Sequence, residues 1–176
     1  MSLYSYKNIS PQIGEKCFIA DSADIIGRVK IGKLANIWFQ VVVRGDVNDI
    51  IIGENSNIQD LSMLHVIDQL PLIIGNNVSV GHAAILHACT IEDHCLVGMG
   101  ATILDGAIIG KNSLVAAHSL VPPGKIYPAG SFIVGSPAQA IRPLREAELE
   151  LYGNHYKSYL ETASEYRNHQ VVKKIE

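Results

Sequence analysis

Large side chains are scarce in this sequence. Aromatic residues fill 6% of its 176 positions, with one Trp and three Phe. A core of stacked rings is therefore excluded. Charge is thin as well, at 18% of residues, and nearly balanced: 14 Lys and Arg against 17 Asp and Glu, for a net −3. That leaves no basic footprint for nucleic acid and no polyanionic tail. Cysteine occurs three times, at 17, 89 and 95, without a CxxC pair. A disulfide framework is not expected, and a cytoplasmic location is. No run reaches the roughly 18 apolar residues of a membrane span. The opening MSLYSYKNIS lacks the basic-then-apolar order of a secretory signal.

What the sequence has instead is Ile, 23 of them, with 14 Val and 15 Gly. Such β-branched aliphatics favour short strands. They are also periodic. A step of six from Ile13 meets Ile19, Ile25, Ile31, Ile37 and Val43. After a shift of three the same step meets Ile52, Ile58 and Leu64, and after a shift of four Ile74, Val80 and Leu86. After the loss of one residue it meets Ile91, Val97, Ile103, Ile109, Val115 and Val121. Gly often follows such a slot, and a small or branched residue such as Ala23, Ala35 or Ala107 stands four places after it.

Each hexapeptide predicts one short strand and one tight corner. Three of them close a triangular coil of about 18 residues, and the slots make about six coils that must stack to bury their faces. An antiparallel sandwich would show hairpins, not one fixed step. The expected fold is an all-β solenoid that resembles the left-handed parallel β-helix of hexapeptide-repeat proteins. The handedness rests on that resemblance, because the general crossover rule favours the right-handed form.

The period is expected to stop after Val121, in a Pro- and Gly-rich exit. This gives a β-helix domain over residues 1–143, with residues 1–12 capping the first coil. Residues 144–170 read as a C-terminal amphipathic helix packing on the solenoid or on a neighbour, with Leu144, Ala147, Leu151 or Tyr152, Tyr156, Tyr159, Ala163 and Tyr166 at steps of three and four. Gly153 lies inside it, at a cost of about 1 kcal/mol relative to Ala. Cys17 and Cys95 fall on the small inward position and are expected to be packed thiols; Cys89 closely follows His87, where it could lie near a metal, and is also expected to be packed. Trp38 and Phe39 are expected to form a surface or interface patch.

The histidines fall on particular slots. Slots three apart stack, so Arg44, His65 and His87, each one residue after its slot, form a column. Asp60 and His82, each two after its slot, form a second column on another side. Stacked strands are about 4.8 Å apart, so His65 and His87 can share one metal ion. His82 is five extended residues from His87, roughly 16 Å, and cannot easily join them within one chain. A triangular prism packed about a threefold axis brings the edges of two copies together. His65 and His87 of one chain then meet His82 of the next, with one site per interface of a homotrimer. Three imidazoles and a water form the open tetrahedral arrangement of a catalytic zinc. His94, His118, His155 and His169 sit at other offsets and are read as non-ligands.

These residues resemble the γ-class carbonic anhydrases and their bacterial relatives. The matching stretches are VVVRGDV (41–47), NIQDLSMLHV (57–66), VGHAAILHACTI (80–91), LVGMGATILDGA (96–107) and GSPAQAIRPL (135–144). The resemblance implies His65, His82 and His87 as ligands of Zn2+, or of Fe2+ or Co2+, with metal-bound hydroxide attacking CO2 to give bicarbonate. It implies an Arg44–Asp46 ion pair across the trimer interface, Gln59 as hydrogen-bond partner of the bound water or bicarbonate, and Asp60 as supporting carboxylate. Where prototype members carry a glutamate after RGD, this chain has Val47, and the segment after His65 has one acid, Asp68. Asp68 or Tyr159 is left to carry protons. The alternatives on the same scaffold are an acyl-CoA thioesterase, an acyltransferase using His94 or His118 as base, and a non-catalytic structural homotrimer.

Overall fold

The computed structural model describes residues 2–168, 171 and 172. The chain winds as a parallel β-solenoid of about seven turns, the architecture of a left-handed β-helix, followed by helical segments. Its first side stacks Ser2–Tyr4, the starts of Asp24–Ile31 and Val42–Ile52, then Met63–His65, Ile85–His87, Thr102–Ile103 and Leu120–Val121. The second side stacks Gln12–Ile13, the ends of the two long strands, Leu72–Ile74, Thr90–Ile91, Ile108–Ile109 and Ile126–Tyr127. The third runs from Phe18–Ile19 to Ser131–Gly135, and Ala138–Pro143 closes it antiparallel.

Rungs follow the slots. Val43 pairs with Leu64, Leu64 with Leu86, Leu86 with Ile103 and Ile103 with Val121. These side chains point inward and are fully buried. Burying one such aliphatic side chain contributes roughly 1.5–3 kcal/mol. At most corners the residue three after a slot has positive φ: Gly at 100, 106, 124 and 130, Asn at 55, 77 and 112, His at 94 and 118, and elsewhere Lys16, Leu34, Gln40, Leu61 and Ala83. A side chain there costs roughly 1–2 kcal/mol, with Asn best tolerated after Gly.

Four expectations change. The period does not stop at Val121: Tyr127 and Ile133, six and twelve residues on, are buried slots that extend the second and third sides by pairing with Ile109 and Val115. Pro122, Pro123 and Pro128 fit because they occupy corners, where no ladder N–H is lost. Residues 1–12 do not merely cap the first coil. Ser2–Tyr4 and Gln12–Ile13 pair in parallel with the two halves of Asp24–Ile31 and lay down two of its sides.

The C-terminal helix is divided at Gly153–His155 into α1 (Glu146–Gly153) and α2 (Tyr156–Arg167). His169 lies outside the described residues. Trp38 is 5% exposed rather than a surface patch. It packs with Phe18, Ala20 and Ala163 beneath α2, its ring 5.4 Å from Tyr159 and 5.1 Å from Tyr166. Phe39, at 38% exposure, stays at the margin of that cluster. The start of α1 is tied to the last strand by Glu148, which accepts two hydrogen bonds from the Arg142 guanidinium at 2.7 and 2.9 Å and one from Arg145 at 2.6 Å. Hydrogen bonds from Arg142 and Arg145 hold the Glu148 carboxyl well below the usual carboxylate range.

Candidate metal centre

Two corners of the first side carry the polar residues singled out in the sequence. At the corner where that side ends, Arg44, His65 and His87 are consecutive rungs of one column, as expected. His65 Nδ1 lies 3.0 Å from His87 Nε2. The second nitrogen of each ring is engaged by a carboxylate. His65 Nε2 is 3.0 Å from Asp46 Oδ1, and His87 Nδ1 makes a short contact with Asp105 Oδ1. Arg44 donates to the other oxygen of Asp46, closing that ion pair within the single chain. Burial pushes the Asp46 carboxyl up, but the hydrogen bonds from Arg44 and His65 outweigh it and hold it below its ordinary value.

At the corner where the first side begins, His82 Nδ1 lies 2.9 Å from Asp60 Oδ2. The column is as expected: Ile58 pairs with Val80, and Ala83 donates its backbone N–H to the Asp60 carbonyl. Gln59 is 2% exposed. It donates to Asn57 Oδ1 at 3.0 Å, and Asn57 donates to Ser79 Oγ at 2.8 Å. That polar ladder continues to His155, whose Nδ1 lies 3.1 Å from the Ser79 hydroxyl. Helix α2 covers this corner, and the Tyr159 hydroxyl is 3.5 Å from His82 Nε2.

The sequence-predicted residues therefore divide into two groups: Arg44, Asp46, His65 and His87 at one corner, Gln59, Asp60 and His82 at the other. Among the described residues of one chain, no three His, Cys, Asp or Glu side chains are grouped to hold a metal ion. The donor set does fit a shared divalent ion: two facing imidazole nitrogens, each ring backed by a carboxylate, with one further imidazole at the opposite edge of the same side. Imidazole donors with outer carboxylates suit zinc, iron or cobalt. Asp105 was missed in the sequence. Its signal was present, since it stands two places after slot Ile103, the rung directly above Leu86.

The other histidines are placed differently. His94 lies between Asn77 Nδ2, at 3.2 Å, and the Gly153 carbonyl, at 3.3 Å, where it supports the break between the helices. His118 occupies a positive-φ corner. Cys89 and Cys95 are 1% exposed, and burial pushes both thiols up to about 12, so they are packing groups rather than ligands. Cys17 is half-buried, and burial raises its thiol too.

The chain is similar to known proteins over most of its length. Residues 88–123 match the family described as bacterial transferase hexapeptide (six repeats). A mitochondrial γ carbonic anhydrase 2 of Arabidopsis thaliana is 44% identical over 88% of this chain. The chain spans 58% of that plant protein's length. A carbonic anhydrase of Geobacillus kaustophilus is 43% identical over 94% of this chain and 91% of its own. Among solved structures, a Bacillus cereus protein provisionally described as an acetyltransferase superposes with a TM-score of 0.93 at 42% identity, covering 94% of this chain and 96% of its own. With identity at this level across nearly the whole length of the Geobacillus protein, the chain belongs to the γ-class carbonic anhydrase family of hexapeptide-repeat proteins.

Proposed function

We propose that this chain is a metal-dependent carbonic anhydrase, interconverting CO2 and bicarbonate at sites between the subunits of a homotrimer. His65 and His87 of one protomer and His82 of the next would hold one divalent ion, Zn2+, Fe2+ or Co2+, per interface. One observation carries the reading: each of these three histidines is paired with its own aspartate, Asp46, Asp60 or Asp105. His94 and His155 contact amide, hydroxyl or carbonyl groups instead. Histidine backed by carboxylate is the usual second layer of a metal centre, where it fixes the tautomer and raises ligand basicity. A divalent ion held by three imidazoles acts as a Lewis acid and lowers the pKa of water to about 7.

The chain's own residues supply the rest. Arg44 clamps Asp46, which holds the His65 ring in place. Gln59 adjoins Asp60 on the His82 corner, where its buried amide donates to Asn57 and steadies that corner rather than reaching substrate. Proton removal falls to Asp68, which is exposed on the corner after His65. Tyr159 is less suited, because burial and the Asp60 charge raise its phenol above its ordinary value.

The test is stopped-flow CO2 hydration by protein purified without oxygen and loaded separately with zinc and iron(II). One metal per chain with hydration well above the metal-free protein is expected. One metal per chain without hydration overturns the substrate, and acyl-CoA hydrolysis is then measured at the same site. For the acyltransferase alternative, His94 is occupied beneath Gly153, which leaves the exposed His118 as its candidate base.

A further inference from the structure

The His87 side chain is held from above by a residue that was not among the candidate site residues of the sequence. Asp105 follows slot Ile103, whose strand Thr102–Ile103 pairs with the start of Ile85–His87. Its carboxylate meets His87 Nδ1. The corresponding positions after slots 43, 64 and 86 are Gly45, Val66 and Ala88, none of which can accept a side-chain hydrogen bond.

The backbone holding this carboxylate is fixed on both sides. The Gly106 N–H donates to the Ala88 carbonyl on the rung below, and the Gly124 N–H donates to the Asp105 carbonyl from the rung above, both at 2.8 Å. Gly106 turns the corner at φ +68°, which lets the carboxylate face back along the stack. Asp105 and His87 side chains are 37% and 30% exposed, so the pair lies at the protein surface. A free imidazole there would rotate and change tautomer. With Nδ1 engaged by Asp105, the ring presents Nε2, the atom 3.0 Å from His65 Nδ1.

We infer that Asp105 is a positioning residue that fixes the orientation and tautomer of His87 for the metal ion. This rests on the metal-site reading above. The closing experiment uses full-length protein, zinc and a chromophoric chelator, with Co2+ absorption and the melting temperature of the metal-free protein as further readouts. Asp105→Ala is expected to weaken zinc binding about 10–100-fold and to alter the Co2+ spectrum. The metal-free melting temperature is expected to stay unchanged. Asp105→Asn, which keeps an oxygen acceptor without the charge, is expected to lose less.

Wild-type protein that binds zinc beside an Asp105→Ala variant of equal affinity overturns the role of Asp105 alone. A loss of affinity matched by a fall in metal-free melting temperature also overturns it, as a merely structural effect. Wild-type protein that binds no zinc overturns the metal site, and this inference with it.

Discussion

The three corners of the solenoid differ in one respect. From the second side to the third, every slot-to-slot step is six: 13 to 19, 31 to 37, 52 to 58, 74 to 80, 91 to 97, 109 to 115 and 127 to 133. From the third side to the first the step is also always six. All the irregularity falls on the corner between the first side and the second, where 43 to 52 takes nine residues, 64 to 74 takes ten and 86 to 91 takes five. That corner carries Arg44, Asp46, His65 and His87. Regular corners maintain the stack, whereas the irregular one re-aims polar side chains and supports a protruding turn. Asn48 anchors that turn by donating to the Ile67 carbonyl at 3.2 Å and the Asp68 carbonyl at 2.9 Å. The phase slips mark the corner of two of the three histidines, while the third, His82, sits on a regular one.

The largest test of this contrast is a matched pair of insertions. One Gly added between Gln40 and Val41, on a regular corner, throws Val43 and Arg44 out of register and is expected to abolish cooperative folding. One Gly added between Asn48 and Asp49, on the irregular corner, is expected to cost under about 1 kcal/mol, because loop entropy grows slowly with length. Urea unfolding of both proteins decides it. Equal losses would mean that the slipped corner is as constrained as the others.

Next in size is the metal. His82→Ala is expected to lose as much metal as His65→Ala or His87→Ala, read by elemental analysis after dialysis. Full retention by the His82 variant would break the intersubunit site and leave only the irregular corner in play. Deletion of one core methyl cluster, Leu64→Ala, is expected to cost about 2–5 kcal/mol, because the slot is fully buried and neighbouring rungs cannot collapse into it. A denaturant midpoint close to wild type would show that the stack relaxes more than its packing suggests.

Smaller is Arg44→Ala, expected to weaken the proposed trimer. Light scattering across a dilution series checks it, and an unchanged mass argues against an intersubunit role for the Arg44–Asp46 pair. The smallest effect concerns pH. Cys89 and Cys95, pushed up from 9.0 to about 12, retain their protons in the folded state while the unfolded state ionises. Their contribution is therefore complete below pH 9 and is lost as pH rises toward 12. Replacing both with Ala should flatten the alkaline fall in urea midpoint. At pH 7.5 neither thiol of the folded wild type should react with iodoacetamide.

Most of the stack was legible because a period of six with three sides allows only one way of burying the slots. The columns Arg44–His65–His87 and Asp60–His82 followed from counting alone. Tyr127 was not read as a slot because an aromatic ring breaks the aliphatic pattern, although its hydroxyl donates to the Ala138 carbonyl at 2.6 Å and closes the last turn. Trp38 looked like a surface residue because the pattern does not show which outward face a helix covers. Its indole N–H finds Asn36 Oδ1 at 2.7 Å beneath α2.

By itself the sequence determined the repeat, the inward column and the identity of the histidines, because each depends on spacing along one strand or between equivalent rungs. The tertiary structure decided what the outward residues meet: Asp46 behind His65 and Asp105 behind His87, α2 over Trp38 and the His82 corner, and the break at Gly153–His155. Those contacts join positions with no fixed relation in sequence. They depend on how far a corner protrudes and where the C-terminal segment lies, and periodicity constrains neither.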